Sequence, residues 1–365
     1  MNKKNSRKNE EGIVLIIVLI VIAILTIVVA DFTFSTHVDL EISNNTLNDI
    51  KAQYIAKSGI SVVSSVMKGN NLEDLGDISS VAGDGDVEVG SADASIWSLN
   101  VPAFPVGDGV VTMTVQDERS KINLNSLVNQ TTNKVDFQVL AALTELFRVL
   151  EVETDNSELF IASLINWLDK PIQGAQNDQD PRGAPGNFYN TLENPYSIKD
   201  GAIDSIDEIR MIEGMDEDFF NKIRDYVTVY PINKQVNFST ASRPVMIAIL
   251  KAAQVSAIQG ENRSDTELKD DVAEAIVDEI IEKRQDDKLI SRIEVRDIAR
   301  DIDSNLRISA GLSGLVLNQG TSETFSVKAS GVVGEVSPTI KDIEAVVRKG
   351  SGNQSKNEIV SWKER

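Results

Sequence analysis

The chain has 365 residues, 41% apolar and 25% charged, a globular balance rather than a disordered one. At roughly 100–200 residues per domain, that length predicts a domain pair or one domain carrying a large insertion. The 36 basic and 56 acidic residues give a formal charge of -20, which argues against a partner with a phosphate backbone. The lack of cysteine excludes disulfides, thiolate metal sites and cysteine nucleophiles. The single histidine, His37, excludes a zinc site built from several histidines and has no marked partner for a catalytic triad.

Lys3, Lys4, Arg7 and Lys8 precede an uncharged apolar run at 13–30. Its 18 residues suffice to cross a bilayer at about 1.5 Å per residue. The basic flank predicts a cytoplasmic N-terminus with the remaining chain outside. A secretory signal competes with this reading, since Val28-Val29-Ala30 resembles a small-residue cleavage site. However, the run exceeds the roughly 7–15 residues usual in such signals. A plain signal anchor is the second reading. The third is a prepilin-type leader, residues 1–12, cut after Gly12 so that Ile13 starts the mature chain. That cut leaves 32 basic and 54 acidic residues, a charge of -22.

Residues 31–58 contain no Pro and no Gly. Phe34, Val38 and Ile42, then Leu47, Ile50 and Tyr54, recur at helical steps, so the helix is predicted to continue out of the membrane over 13–68. Asn44 and Asn45 weaken it locally. Ala56-Lys57-Ser58-Gly59-Ile60 resembles the small-residue stretch on which a long pilin helix meets its head. These features favour the prepilin reading.

The Gly- and Asp-rich stretch 70–92 reads as loop. Alternation at 94–101 and 110–117 predicts half-buried strands, as it does at 324–330, 339–348 and 358–363. Gly350-Ser351-Gly352-Asn353 supplies a turn before the last strand. Strands thus flank a long helical middle. The expected fold class is α+β: a long N-terminal helix on an antiparallel sheet (69–122 and 310–365), with an all-α domain inserted at 123–309.

That middle repeats itself. Ile122-Asn123-Leu124-Asn125-Ser126-Leu127 resembles Val236-Asn237-Phe238-Ser239-Thr240-Ala241. An apolar helix follows each, at 137–150 and 244–253. Ile206-Asp207-Glu208-Ile209-Arg210 loosely matches Ile293-Glu294-Val295-Arg296. Two such units are expected to bury their faces on each other. The 206–226 segment reads as helix, Gly214, helix. Its turn, Glu213-Gly214-Met215-Asp216-Glu217, repels phosphate, so a packing role is favoured over nucleic-acid binding. Trp97, Trp167 and Trp362 lie in apolar contexts and are expected in the core.

Several stretches together resemble the K family of type II secretion minor pseudopilins, general secretion pathway protein K. They are the Gly12-Ile13 leader and Asp117-Glu118-Arg119-Ser120-Lys121-Ile122-Asn123-Leu124-Asn125. Val236-Asn237-Phe238-Ser239-Thr240-Ala241-Ser242 and the end of the chain, from Phe325 through Ile343-Glu344-Ala345-Val346-Val347-Arg348 to Ser361-Trp362, add to them. Most pilins carry a glutamate at the fifth mature position. Here that residue is Ile17, and the K family is known for lacking the glutamate. The resemblance implies a pseudopilin fold with an inserted α-domain, in an inner-membrane, single-pass protein with a periplasmic head. It further implies cleavage and N-methylation at Gly12-Ile13 by prepilin peptidase. The implied position is the tip of a pseudopilus above minor pseudopilins I and J, with the head near the secretin or exported cargo.

Calcium is also implied, in the 170–201 loop. Asp169, Asp178 and Asp180 are the expected ligands, completed by carbonyls and water. Two departures weaken the pattern. Asn166 and Pro185 stand where relatives often carry carboxylates. An EF-hand match at Asp178-x-Asp180-x-x-Gly183 fails at Arg182 and Tyr189. No phosphate-cradling or zinc-protease motif is present. The expectation is therefore a structural assembly protein rather than an enzyme. The alternatives are a minor pilin of a type IV pilus, and a signal-anchored periplasmic enzyme or nucleic-acid-binding module.

Overall fold

The computed structural model describes residues 4–69, 98–170, 186–257, 268–285, 289–306, 308–334, 337–350 and 356–364. Helix α1, Lys4–Gly69, runs unbroken for 66 residues, roughly 100 Å. Asn44 and Asn45 do not interrupt it, because a few tenths of a kcal/mol of propensity cannot break a helix this long. The hydroxyls of Thr26, Thr33, Thr36 and Thr46 each donate back to the carbonyl four residues earlier, at 2.8 Å. Their polar atoms are thereby satisfied within the helix, as an apolar environment requires.

The end of α1 lies on a five-stranded antiparallel sheet. Its strands are β1 (Ser98–Val106), β2 (Gly109–Asp117), β3 (Thr324–Val333), β4 (Thr339–Arg348) and β5 (Glu358–Glu364). They are neighbours in chain order, each antiparallel to the next. Period-two alternation turns Val111, Met113, Phe325, Val327 and Ala345 toward α1. Ala52, Ala56 and Ile60 of the helix meet them. The approach is close because Gly331 has no side chain: a Cβ there would sit 2.1 Å from the carbonyl oxygen of Ala52. Pro102 and Pro105 lie in β1, an edge strand with a register break between Val101 and Phe104. Among the described residues no further strand pairs with the outer side of β1, the position in a sheet where proline is tolerated.

Everything from 118 to 323 is inserted between β2 and β3, whose ends pair at Asp117 and Phe325. This insertion holds a second core, from Ile122 to Val316, with no residue in common with the first. Its two halves are built alike. In the first, the strand Ile122–Asn123 pairs in parallel with Val227–Thr228, and Ile122 N–H donates to Tyr226 at 3.0 Å. In the second, Val236 pairs in parallel with Val316 and donates to Leu315 at 2.7 Å. Between these closures each half contains two longer helices, Phe137–Val149 and Thr154–Leu168 or Arg243–Ala257 and Asp270–Gln285. Asn125 Oδ1 accepts the N–H of Ile203 at 2.7 Å, and Ser239 Oγ at the matching position accepts that of Ile290 at 2.9 Å. A serine then caps the next helical segment in each, Ser205 before Ile206–Met211 and Ser291 before Arg292–Ile302.

The helical core ends later than the sequence suggests. Residues 310–316 belong to it rather than to the sheet, since Leu312, Leu315 and Val316 are fully buried there. The short helix Ser309–Leu315 fits against Ala253 at Gly311, where a Cβ would clash with backbone at 2.1 Å.

The two cores are joined at Asp117. Its Oδ2 accepts from Asn237 Nδ2 at 2.9 Å, Thr240 Oγ1 at 2.7 Å and Ser322 Oγ at 2.7 Å. Its Oδ1 accepts the backbone N–H of Arg119 at 2.8 Å. Next to it, buried Glu118 accepts from the hydroxyl of Thr228 and from Lys121 at 3.2 Å. An ion pair between Lys363 of β5 and Asp207 makes a further bridge between sheet and insertion.

Burial pushes the Asp117 carboxyl above its ordinary pKa, although the four hydrogen bonds oppose the shift. Asp117→Asn removes the charge but also an oxygen that serves three donors. We expect it to destabilise the protein by about 2–4 kcal/mol in denaturant unfolding. The folded pKa lies above the unfolded one, so the linked stability is present below the ordinary carboxyl pKa and lost as pH rises through the raised value. The wild type's margin over the variant should therefore be larger near about pH 4 than near about pH 7. Equal margins at both would contradict the raised carboxyl.

Candidate functional site

In the described residues, large apolar side chains exposed to solvent are concentrated on α1. From 13 to 29 they surround the helix, as a lipid-facing segment requires, and this is a helix long and apolar enough to cross a membrane. Gly12 and Ile13 lie within α1. Ile13 and Ile17 are exposed on the apolar stretch, and Ile17 brings no carboxylate to it.

Beyond the apolar run two lines of exposed residues continue. Phe34, Val38 and Ile42 recur every four residues on the side that, further along, meets the sheet. Phe32, Leu40, Leu47, Ile50 and Tyr54 recur at helical spacing on the opposite side, the back of α1. His37 is exposed between them. Charged residues near the sheet are held in pairs: Lys51 with Asp108 at 2.8 Å, Lys57 with Glu364 at 3.1 Å and Lys341 with Asp49 at 2.9 Å. An α1 of this kind can anchor in lipid and, above it, receive other apolar helices along its length.

The acidic loop is the other candidate site. Asp169 is the C-terminal cap residue of Thr154–Leu168; Asp178 and Asp180 lie outside the described residues. Both ends of the loop are held close together. Asn133 Nδ2 donates to Lys170 O at 2.9 Å and its Oδ1 accepts Lys170 N–H at 2.8 Å. At the exit, Gly201 N–H donates to Trp167 O at 3.1 Å. Asp200, beside it, has its carboxyl pushed up by burial. Trp167 is buried; its indole N–H donates to Glu208 at 2.9 Å, and its ring packs edge-on against Tyr189 at 5.6 Å. Burial pushes the Tyr189 hydroxyl up to about 12. Asn166 is buried in the helix. Among the described residues, no three Asp, Glu or His side chains gather where a metal ion could be held.

Gly214 serves packing. Its φ is +89°, and a Cβ would lie 2.6 Å from the backbone nitrogen of Phe160. The segment before it is a 3-10 turn, Ile206–Met211, rather than a full helix. Trp97 lies outside the described residues. Trp362 is not a core residue: it sits on β5, the sheet edge, and is 39% exposed. The alternation around it is that of a strand, but an edge strand leaves one flank uncovered. Two features escaped the sequence reading. One is the Asp117 network, whose side-chain donors lie more than a hundred residues away. The other is the Glu364 cluster, in which Gln53, Lys57 and Trp362 converge on one carboxylate.

A family model described as type II secretion system (T2SS), protein K, matches residues 120–232. Type II secretion system protein K of Pseudomonas aeruginosa is 26% identical over 261 residues, covering 71% of this chain and 73% of that one. The Aeromonas hydrophila protein of the same name is 25% identical over 69% of this chain and 73% of its own length. The Pectobacterium carotovorum protein of that name is 27% identical, but there the match spans about half the relative, 48%. Among solved structures, a chain from the GspK-GspI-GspJ complex of the enterotoxigenic Escherichia coli type 2 secretion system superposes with a TM-score of 0.54. It is 17% identical, and the match covers 90% of this chain and 99% of that one. The likeness is one of fold.

Proposed function

We propose that this chain, which belongs to the type II secretion system protein K family, is the minor pseudopilin at the tip of a periplasmic pseudopilus, initiating or capping its assembly. Prepilin peptidase would cut between Gly12 and Ile13. The apolar run would remain in the inner membrane as a single span, with the sheet and the insertion in the periplasm. Minor pseudopilins I and J would pack beneath, and the acidic head would face the secretin or the exported cargo. The role is structural, with no reaction assigned to any residue. One observation carries this reading. The apolar surface of α1 does not stop at the end of the apolar run but continues to Tyr54, exposed among the described residues.

Three features support a terminal position. α1 is fixed to the sheet only over its last third, leaving the lower part free to pack in a helical bundle. The insertion sits on the sheet through Asp117 and would obstruct a further subunit stacked above. Ile17 cannot offer a carboxylate to the N-terminal ammonium of a neighbour, an exchange that makes an intramembrane carboxylate tolerable in other pilins.

Processing is tested by intact mass of the purified full chain. We expect it to begin at a methylated Ile13, and Gly12→Val to retain the leader, because the peptidase must approach a backbone without a Cβ. Normally trimmed Gly12→Val protein would refute this. For the tip position, Ile17→Glu is expected to leave secretion unchanged or reduced. Improved secretion would count against it.

Calcium remains a proposal for the acidic loop. Asp169 with Asp178 and Asp180 would supply carboxylates, and carbonyls and water the remaining oxygens. Bound calcium would tie the loop's negative charge to the helix end at Asp169. At a hundredfold excess over Kd the gain would be about 2.7 kcal/mol. Thermal unfolding of the detergent-solubilised chain should then rise by several degrees over chelator. The rise should vanish in Asp178→Asn/Asp180→Asn, and superimposable curves would remove calcium from the account.

A further inference from the structure

We propose that β5 is a releasable strap: paired with β4 it fixes the angle between the insertion and α1, and once it leaves β4 the insertion turns about Asp117. Such a strap acts within one chain, whatever that chain assembles with.

β5 is held differently from the strands before it. None of its side chains is buried, and none belongs to either core. β3 and β4, by contrast, turn buried residues such as Phe325, Val327 and Ala345 onto α1. The pairing of β5 with β4 is also interrupted. Ser361 lies opposite Val346 and Ile359 opposite Val347, so Val360 is an extra residue in the strand. Backbone pairing and polar side-chain contacts are what remain. An element with few buried apolar contacts opens at a lower free energy than the body that carries it.

Those polar contacts reach two different parts of the molecule. Lys363 and Glu364 are consecutive, so their side chains leave opposite faces of the sheet. Glu364, opposite Ile343, turns to α1, where its Oε1 lies 3.1 Å from Lys57 Nζ and its Oε2 accepts from Gln53. Lys363, opposite Glu344, turns to the other face and pairs with Asp207 of the 3-10 turn Ile206–Met211. Just before the strand, Asn357 Nδ2 donates to the carbonyl of Ser64 on α1 at 2.6 Å. One short strand therefore holds α1 with one side and the insertion with the other.

Asp117 ends β2, three strands from Lys363, about 14 Å at the usual strand spacing. A single tie is a pivot, and a second tie at a distance fixes the angle. Asp117 is the buried tie, closed by its four donors. The Lys363–Asp207 pair is half exposed, with side-chain exposures of 39% and 31%, so solvent and salt weaken it. Asp207 also has Arg210 at 3.9 Å, so breaking the pair strands no lone charge in the insertion. The strap therefore yields first, and Asp117 is left as the hinge.

The chain has no cysteine, so spin labels can be placed at two chosen sites. Lys328→Cys, on the sheet face away from α1, and Asp218→Cys, in the exposed first turn of Glu217–Ile223, report the angle in the full chain in detergent micelles. At low salt their distance distribution should be single and narrow. Adding Lys363→Ala should broaden it or bring in a second distance, whereas Lys363→Arg should keep it narrow. Raising the salt to about 1 M, where the Debye length falls to about 3 Å, should broaden the distribution of the parent pair as well. Hydrogen exchange resolved to single amides should show the β5 amides paired with β4 exchanging about tenfold faster than those of β3. Lys363→Ala should speed β5 further and leave β3 and the thermal unfolding curve unmoved. A broad distribution in the parent pair at low salt would overturn the proposal. So would a distribution that stays narrow in Lys363→Ala and in high salt, or β5 amides that exchange only together with β3. Should Lys363→Ala fail to fold, the salt series on the parent pair decides alone.

Discussion

Two hydrophobic cores that share no residue are made into one body by a buried carboxylate. Asp117 ends β2, and the donors that satisfy it come from Asn237 and Thr240 in the second half of the insertion and from Ser322 just before β3. A carboxylate in that position is costly to bury and becomes tolerable only when its lone pairs are filled. Filling them requires that the sheet, the insertion and the returning chain all be folded together. The junction therefore couples units that apolar packing alone would leave independent. The Lys363–Asp207 pair adds a second, more exposed tie from the other side of the sheet, where solvent makes it weaker.

The duplicated construction of the insertion explains how one half can serve that junction while the other stabilises the pair. Asn123 and Asn237 occupy equivalent positions at the opening strands. Asn237 turns its side chain to Asp117, whereas Asn123 donates to Pro231 in the segment linking the halves. Asn125 and Ser239 keep the shared task, accepting a backbone N–H from the loop before the serine-capped segment. Closure of each half by a parallel contact between its first and last residues makes it self-contained. The insertion can thus lie between neighbouring strands without disturbing their register, since it leaves at Asp117 and returns opposite it at Phe325.

Much of this was visible in the residues because it rests on local pattern. The apolar run, the proline-free helix, the alternating strands and the repeated opening motif all depend on neighbours a few residues apart. What depended on distant partners was not visible. Trp362 reads as a core residue until the strand order shows it on an edge. The end of the insertion reads as 309 until Gly311 is seen against Ala253. Asp117 sits in a stretch that carries a family resemblance, yet nothing in Asp117-Glu118-Arg119-Ser120 announces that Thr240 and Ser322 will donate to it. Of the acidic loop, Asp169 is fixed at a helix end while Asp178 and Asp180 lie outside the described residues, so its ligand chemistry still rests on residue type.

The distribution of apolar surface gives the molecule a direction. On the body, apolar residues are mostly interior, and several of the charged groups around the sheet are paired. On α1 the apolar surface is linear and collinear with the segment long and apolar enough to cross a membrane. A line favours partners that are themselves long and parallel to it, because only they bury its full length at once. Each further turn covered adds apolar area at about 25 cal/mol per Å² without adding a new orientational cost. A helix anchored in the same bilayer has also surrendered much of its translational and rotational freedom before contact. Modest side chains such as Leu47 and Ile50 can therefore suffice for association there, although the same residues would bind weakly to a partner free in solution. Chemistry that resembles an unfinished core on a soluble protein becomes, on a membrane-anchored helix, a surface on which assembly can proceed along one axis.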